Sequence, residues 1–66
     1  MNLIEGIQSQ QNRVRELLTQ YEAIGPAGVF GSMMLKQAIQ HGDASVASGD
    51  VVDMLAAYKE LEGCTG

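Results

Sequence analysis

The run Gly25-Pro26-Ala27-Gly28-Val29-Phe30-Gly31-Ser32-Met33-Met34-Leu35 decides how this chain folds. It carries no charge, is dense in glycine, and is apolar on every side of a helical projection. A helix that is hydrophobic all round has to be covered all round. The chain has 66 residues, and a domain that small buries only roughly 60% of the surface its unfolded form exposes. Its own interior is too small to enclose the run. The expectation is a second copy, a partner or a ligand lying over it.

Upstream of the run a first helix reads clearly. Asn2 can cap it, with Glu5 three residues later completing a capping box. Leu3, Ile7, Gln10, Val14, Leu17, Tyr21 and Ile24 follow the three-four spacing of a seam that wants a partner helix. Ile4 and Leu18 widen the stripe; Gln10 interrupts it and Gln11 adjoins it. Gly25-Pro26 stops this helix and starts the next, because proline suits a first helical position where its missing N–H is not needed. The second helix runs from Pro26 to about Ser48. A break at Gly42-Asp43 competes with a continuous helix, which the spacing of Leu35, Ile39, Gly42 and Val46 favours. Asp50 caps a last helix with Val51, Met54, Leu55, Tyr58 and Leu61 on its apolar face, and Gly63 ends it.

The expected fold is therefore all-α, a single domain with helices over residues 3–23, 26–48 and 51–62. Two long antiparallel helices carry a short C-terminal one over their groove, and the whole assembles as a homo-oligomer. Ile7, Val14, Phe30, Met33 and Met34 are the expected subunit contacts.

The formal charge is −4, with eight Asp and Glu against four Lys and Arg. The acidic surplus lies beyond residue 41, in Asp43, Asp50, Asp53, Glu60 and Glu62 against Lys59. Duplex nucleic acid is an unsuitable partner for such a surface, since phosphate neutralisation supplies most of that affinity. No apolar run is long enough to cross a bilayer. The lone Cys64 and the absence of a leader-like segment point to a reducing, cytoplasmic setting. Cys64 reads as a free thiol or as half of an intermolecular bridge.

Chemistry is hard to place on these residues. The single His41 lacks a nucleophile at any recognisable spacing and reads as a surface or interface residue. Asp50 and Asp53 are explained by helix capping, and Glu60 and Glu62 by a solvated helix end. No His/Cys cluster has metal-ligand spacing, and no cofactor is implied. The expectation is a protein without catalytic activity. The glycine-rich start of the second helix has two readings. Gly28, Gly31 and Ser32 can let another helix approach closely. Alternatively, backbone amides at a helix start receive an anion, with Ser32 and Lys36 adding a hydroxyl and a charge, and Arg13, Arg15 and Tyr21 joining from the same or another subunit.

Ile24-Gly25-Pro26-Ala27-Gly28-Val29-Phe30-Gly31, then Met33-Met34, then Ser48-Gly49-Asp50-Val51-Val52, Met54-Leu55 and Ala57-Tyr58, resemble small uncharacterised helical proteins of tailed phages and prophages. The resemblance covers most of the chain and names no activity; such families often encode inhibitors or decoys aimed at host defence. In architecture the chain is also similar to phage sponges of the anti-CBASS type, short helical oligomers that sequester cyclic oligonucleotide immune signals. Gly25 to Ile39 corresponds to their glycine-containing start of a Met/Leu-rich helix, and no ligand residue carries over. The resemblances imply a counter-defence protein in a bacterial host cell. It would sequester a cyclic or ADP-ribose-type signalling nucleotide between subunits; the residues offered for that site, Arg13, Arg15, Tyr21, Gly28, Gly31, Ser32 and Lys36, come from the reading of the helix start above and not from the resemblance. The competing expectation is an interaction module that inhibits a host protein through an exposed apolar helix face.

Overall fold

Small residues on the central helix set the spacing of the whole bundle. A computed structural model describes residues 2–65, which form α1 (Leu3–Ala23), a 3-10 turn (Gly25–Gly28), α2 (Val29–Ser48) and α3 (Val51–Glu62). Along α2 the buried positions are Ser32, Leu35, Ala38, Gly42 and Ser45, so only one of the five is large. The other two helices can therefore come close. Ile7 and Val14 from α1, and Met54, Ala57 and Leu61 from α3, fill the space this leaves. Ser45 lies fully buried in the seam, and its hydroxyl donates to the Gly42 carbonyl at 2.8 Å.

Each boundary has a local cause. The Asn2 side-chain oxygen accepts the Glu5 N–H at 2.8 Å, capping α1. Gly25, at φ +74°, takes the left-handed conformation that ends α1. Pro26 then lies in the 3-10 turn rather than in α2, so residues 26–28, expected within the second helix, precede it as a tighter turn. α2 continues through Gly42-Asp43 without a break and stops at Gly49, φ +72°. Asp50 restarts the chain as α3, its carboxylate accepting the Val52 N–H at 2.9 Å. The connections, residues 24–28 and residues 49–50, are both short and set neighbouring helices antiparallel. α3 consequently runs parallel to α1: Gly6 meets Tyr58, Arg13 meets Leu61, and Tyr21 meets Thr65.

Three expectations need correction. The seam of α1 turns inward at Gln11, not Gln10. Gln11 is 4% exposed, and its amide nitrogen donates to the Ile39 carbonyl and to Asp43 Oδ1, both at 2.9 Å. It sits directly over Gly42, where a Cβ would lie 2.5 Å from that nitrogen. Ile24 leaves the seam and is exposed, because α1 has ended at Ala23. Ile7 and Val14 are fully enclosed by their own chain and so cannot be subunit contacts.

The total accessible surface is 4232 Å², against roughly 4,000 Å² for a compact monomer of this mass. One chain thus closes its own core, and the glycine-rich run is divided: Gly28, Ser32 and Leu35 go inside, while Val29, Phe30, Met33 and Met34 stay out. No helix is long and apolar enough to cross a membrane among the described residues.

Candidate functional site

α3 is too short to cover the groove it lies in. At 21, 20 and 12 residues, the three helices are about 31, 30 and 18 Å long. The half of the α1–α2 groove beyond Glu62 is left to the tail alone. There Tyr21, Gly31, Met34, Leu35 and Ala38 line an open depression of about 400 Å³, bordered on one side by Lys59, Glu60 and Gly63–Thr65. Tyr21 is its wall. The ring rests on Gly31, in the space a Cβ there would need, and the hydroxyl donates to the Thr65 carbonyl at 3.1 Å.

Beside this groove the surface is apolar. Ile24, Val29, Phe30, Met33 and Met34 are each more than half exposed, Phe30 at 76%. These side chains cluster because α1 ends and α2 begins at this end of the bundle. Together their exposure amounts to about three whole side chains of this size, on the order of 600 Å², the upper end of the largest patch on a typical monomer. The exposed Phe30, Met33 and Met34 remain available as contacts, unlike Ile7 and Val14.

The seven residues proposed to hold a ligand do not converge within one chain. Ser32 and Lys36 line a shallow hollow of about 310 Å³ with Glu22, Gly25, Val29 and Met33. Tyr21 and Gly31 belong to the larger groove. Gly28 lies buried against the Tyr21 carbonyl and the Ile24 side chain. The small faces of Gly28 and Gly31 therefore do serve close helix approach, and the helix approached is the chain's own α1. Lys36 Nζ lies 3.7 Å from Glu22 Oε2, both about half-exposed. Arg15 is exposed and bonds Asn12 at 3.1 Å.

Arg13 has a structural task that the sequence did not announce. Its two terminal nitrogens donate to the carbonyls of Leu61 and Cys64, each at 2.8 Å, while Nε donates to Gln10 at 2.9 Å. A cation at the carbonyl end of a helix opposes the negative pole of its dipole. Arg13 on α1 thus caps α3 and pins the tail. Cys64, next to it, is free and half-buried. Burial pushes its thiol above the ordinary value, with Arg13 pulling part of the way back, which keeps it a poor nucleophile.

His41 was also missed. Nε2 donates to Asp53 Oδ1 at 2.9 Å and Nδ1 donates to Glu60 Oε2 at 2.8 Å, joining α2 to α3. The bond to Asp53, then the bond to Glu60, hold the imidazolium above the ordinary histidine value of 6.5, against a smaller opposing effect of burial. The available signal was the seven-residue spacing of Asp53 and Glu60, which puts both carboxylates on one face of α3. Among the described residues no cluster of His, Cys, Asp and Glu is arranged to hold a metal ion.

Comparison with family models, with characterised proteins and with solved structures finds no match for this chain.

Proposed function

We propose that this protein is a non-catalytic binding module that docks the exposed face of α2 onto an apolar surface of another polypeptide. The observation that carries the reading is the exposed set Ile24, Val29, Phe30, Met33 and Met34 beside an unfilled groove. A patch at the upper end of what a monomer exposes is often a functional surface. Methionines suit the task, since their unbranched thioether chains repack around different shapes. The likeness to phage proteins makes a host protein the natural target, blocked sterically within the cell. Capture from bacterial lysate tests this. One stoichiometric partner should be retained by the wild type and lost on Phe30→Glu or Met33→Glu, with helical content unchanged by circular dichroism. Capture of the same partner by both variants would refute it.

Nucleotide sequestration is the second reading. It is supported by Ser32 and Lys36 sharing a hollow at the start of α2, where no side chain caps the helix. Its remaining cations, Arg13 or Arg15, would have to come from another subunit, with Arg13 giving up its carbonyl partners. Calorimetry against cyclic oligonucleotides and ADP-ribose derivatives is the test, and absence of heat with all of them would dispose of it.

A further inference from the structure

We infer that residues 63–65 are a latch, held down by two side chains of α1, that lifts off the α1–α2 groove while the three helices stay folded. Lifting bares the Cys64 thiol and removes one bank of the groove. The latch is independent of the docking reading and needs no partner.

Three features make the tail a separate moving part. The first is how it is held. Arg13 donates to the Cys64 carbonyl at 2.8 Å, and the Tyr21 hydroxyl donates to the Thr65 carbonyl at 3.1 Å. The second is what remains when it lifts. Arg13 keeps its bonds to Gln10 and to the carbonyl of Leu61, a residue of α3 itself. Its charge is therefore not stranded, the outcome that makes breaking such contacts costly. Little apolar surface is uncovered, because Gly63 and Thr65 are already exposed and only Cys64 packs against the core. Openings that break so few apolar contacts lie far below global unfolding in free energy.

The third is the hinge. α1 and α2 are each followed by a glycine in the left-handed conformation, Gly25 at φ +74° and Gly49 at φ +72°, which fixes where the chain turns. Gly63, at the end of α3, has φ −74° and ψ −11°, so no such turn directs the tail. Its direction is set by the bonds from Arg13 and Tyr21. The tail so placed is one bank of the depression of about 400 Å³, whose remaining walls include Tyr21, Met34 and Ala38. Lifting it widens that depression and takes the Cys64 thiol off the Glu60 carbonyl, to which it donates at 3.4 Å.

Labelling of the single thiol by dithiobis(nitrobenzoate), across a urea series below the unfolding transition, tests the latch. The wild type should react about tenfold or more slowly than the urea-unfolded chain, at a rate nearly independent of urea, since lifting the tail exposes little surface. Tyr21→Phe keeps the ring on Gly31 and removes only the hydroxyl, so labelling should quicken about twofold or more. Arg13→Met should quicken it roughly fivefold or more. Arg13 pulls the thiol's pKa down, so its loss alone would slow the attack; a faster reaction therefore reports opening. Should Arg13→Met lose helicity by circular dichroism, Tyr21→Phe and the urea dependence of the wild type still decide. A wild-type rate that climbs with urea as steeply as global unfolding overturns the inference, because the tail then leaves only with the helices. So does a wild type that reacts as fast as the unfolded chain, or a rate indifferent to Tyr21→Phe. None of these outcomes bears on capture of a partner through Phe30, so the docking reading stands or falls separately.

Discussion

Gly42→Ala is the sharpest test of how α2 packs, because local and tertiary physics predict opposite signs. Glycine inside a helix costs about 1 kcal/mol relative to alanine, so propensity alone predicts a stabilised protein. In the folded chain the new methyl would lie 2.5 Å from Gln11 Nε2 and 3.2 Å from both Gln11 Cδ and Ile7 Cγ2. Gln11 has to move off the Ile39 carbonyl and Asp43, and at 4% exposure it has little access to solvent. Leaving buried polar groups unpaired costs about 1–3 kcal/mol, and overpacking a core typically costs a further 1–3 kcal/mol. The expected net loss is about 1–5 kcal/mol after the propensity gain. For a domain of this size each kcal/mol lowers Tm by roughly 4–8 °C. Thermal unfolding followed by circular dichroism measures it. Gln11→Ala should recover much of the loss in the Gly42→Ala background, giving a coupling of about 1 kcal/mol or more in a double-mutant cycle. A higher Tm for Gly42→Ala alone would refute the packing argument.

The other expectations follow from individual contacts. Gly28→Ala should destabilise by about 2 kcal/mol or more, since the methyl meets the Tyr21 backbone carbonyl, which no rotamer change can move aside; urea unfolding reports it. Arg13→Met should cost about 1–2 kcal/mol, in line with hydrogen bonds from a charged donor. Native-state hydrogen exchange should speed up in the last turn of α3 and the tail, while the middle of α2 stays protected. For His41 the folded value is raised above the unfolded 6.5. Its stabilisation is therefore complete below that pH. It is lost as pH rises through the folded value. The amplitude should be about 1 kcal/mol, as befits two partly exposed pairs, and a pH series of urea midpoints should show it for the wild type but not for His41→Gln.

The face proposed for docking and the contacts that hold the fold lie on opposite sides of α2. The inward side is made of small residues already committed to α1 and α3, and the outward side of large apolar ones with no partner in the chain. Substitutions at Phe30, Met33 and Met34 should consequently separate binding from folding. Substitutions at Gly28, Gly42 or Ser45 should not, because stability would fall before any surface changed.

The helices and their ends follow from local chemistry and were legible in the residues. Asn2 and Asp50 cap, Gly25 takes a left-handed turn, and the alternation of apolar and polar positions marks one buried face on α1 and on α3. Continuity of α2 through Gly42 was legible too, from spacing that stays helical across the glycine. What only the folded chain decided was the use of each side of α2. An all-round apolar helix has no periodicity to say which side faces in, so the inward set of Ser32, Ala38, Gly42 and Ser45 emerges only once α1 and α3 are in place. The same limit hid Arg13 and His41, whose partners lie 48 residues (Leu61) and 19 residues (Glu60) away. Their roles depend on α3 lying parallel to α1, a relation between helices that no local pattern encodes.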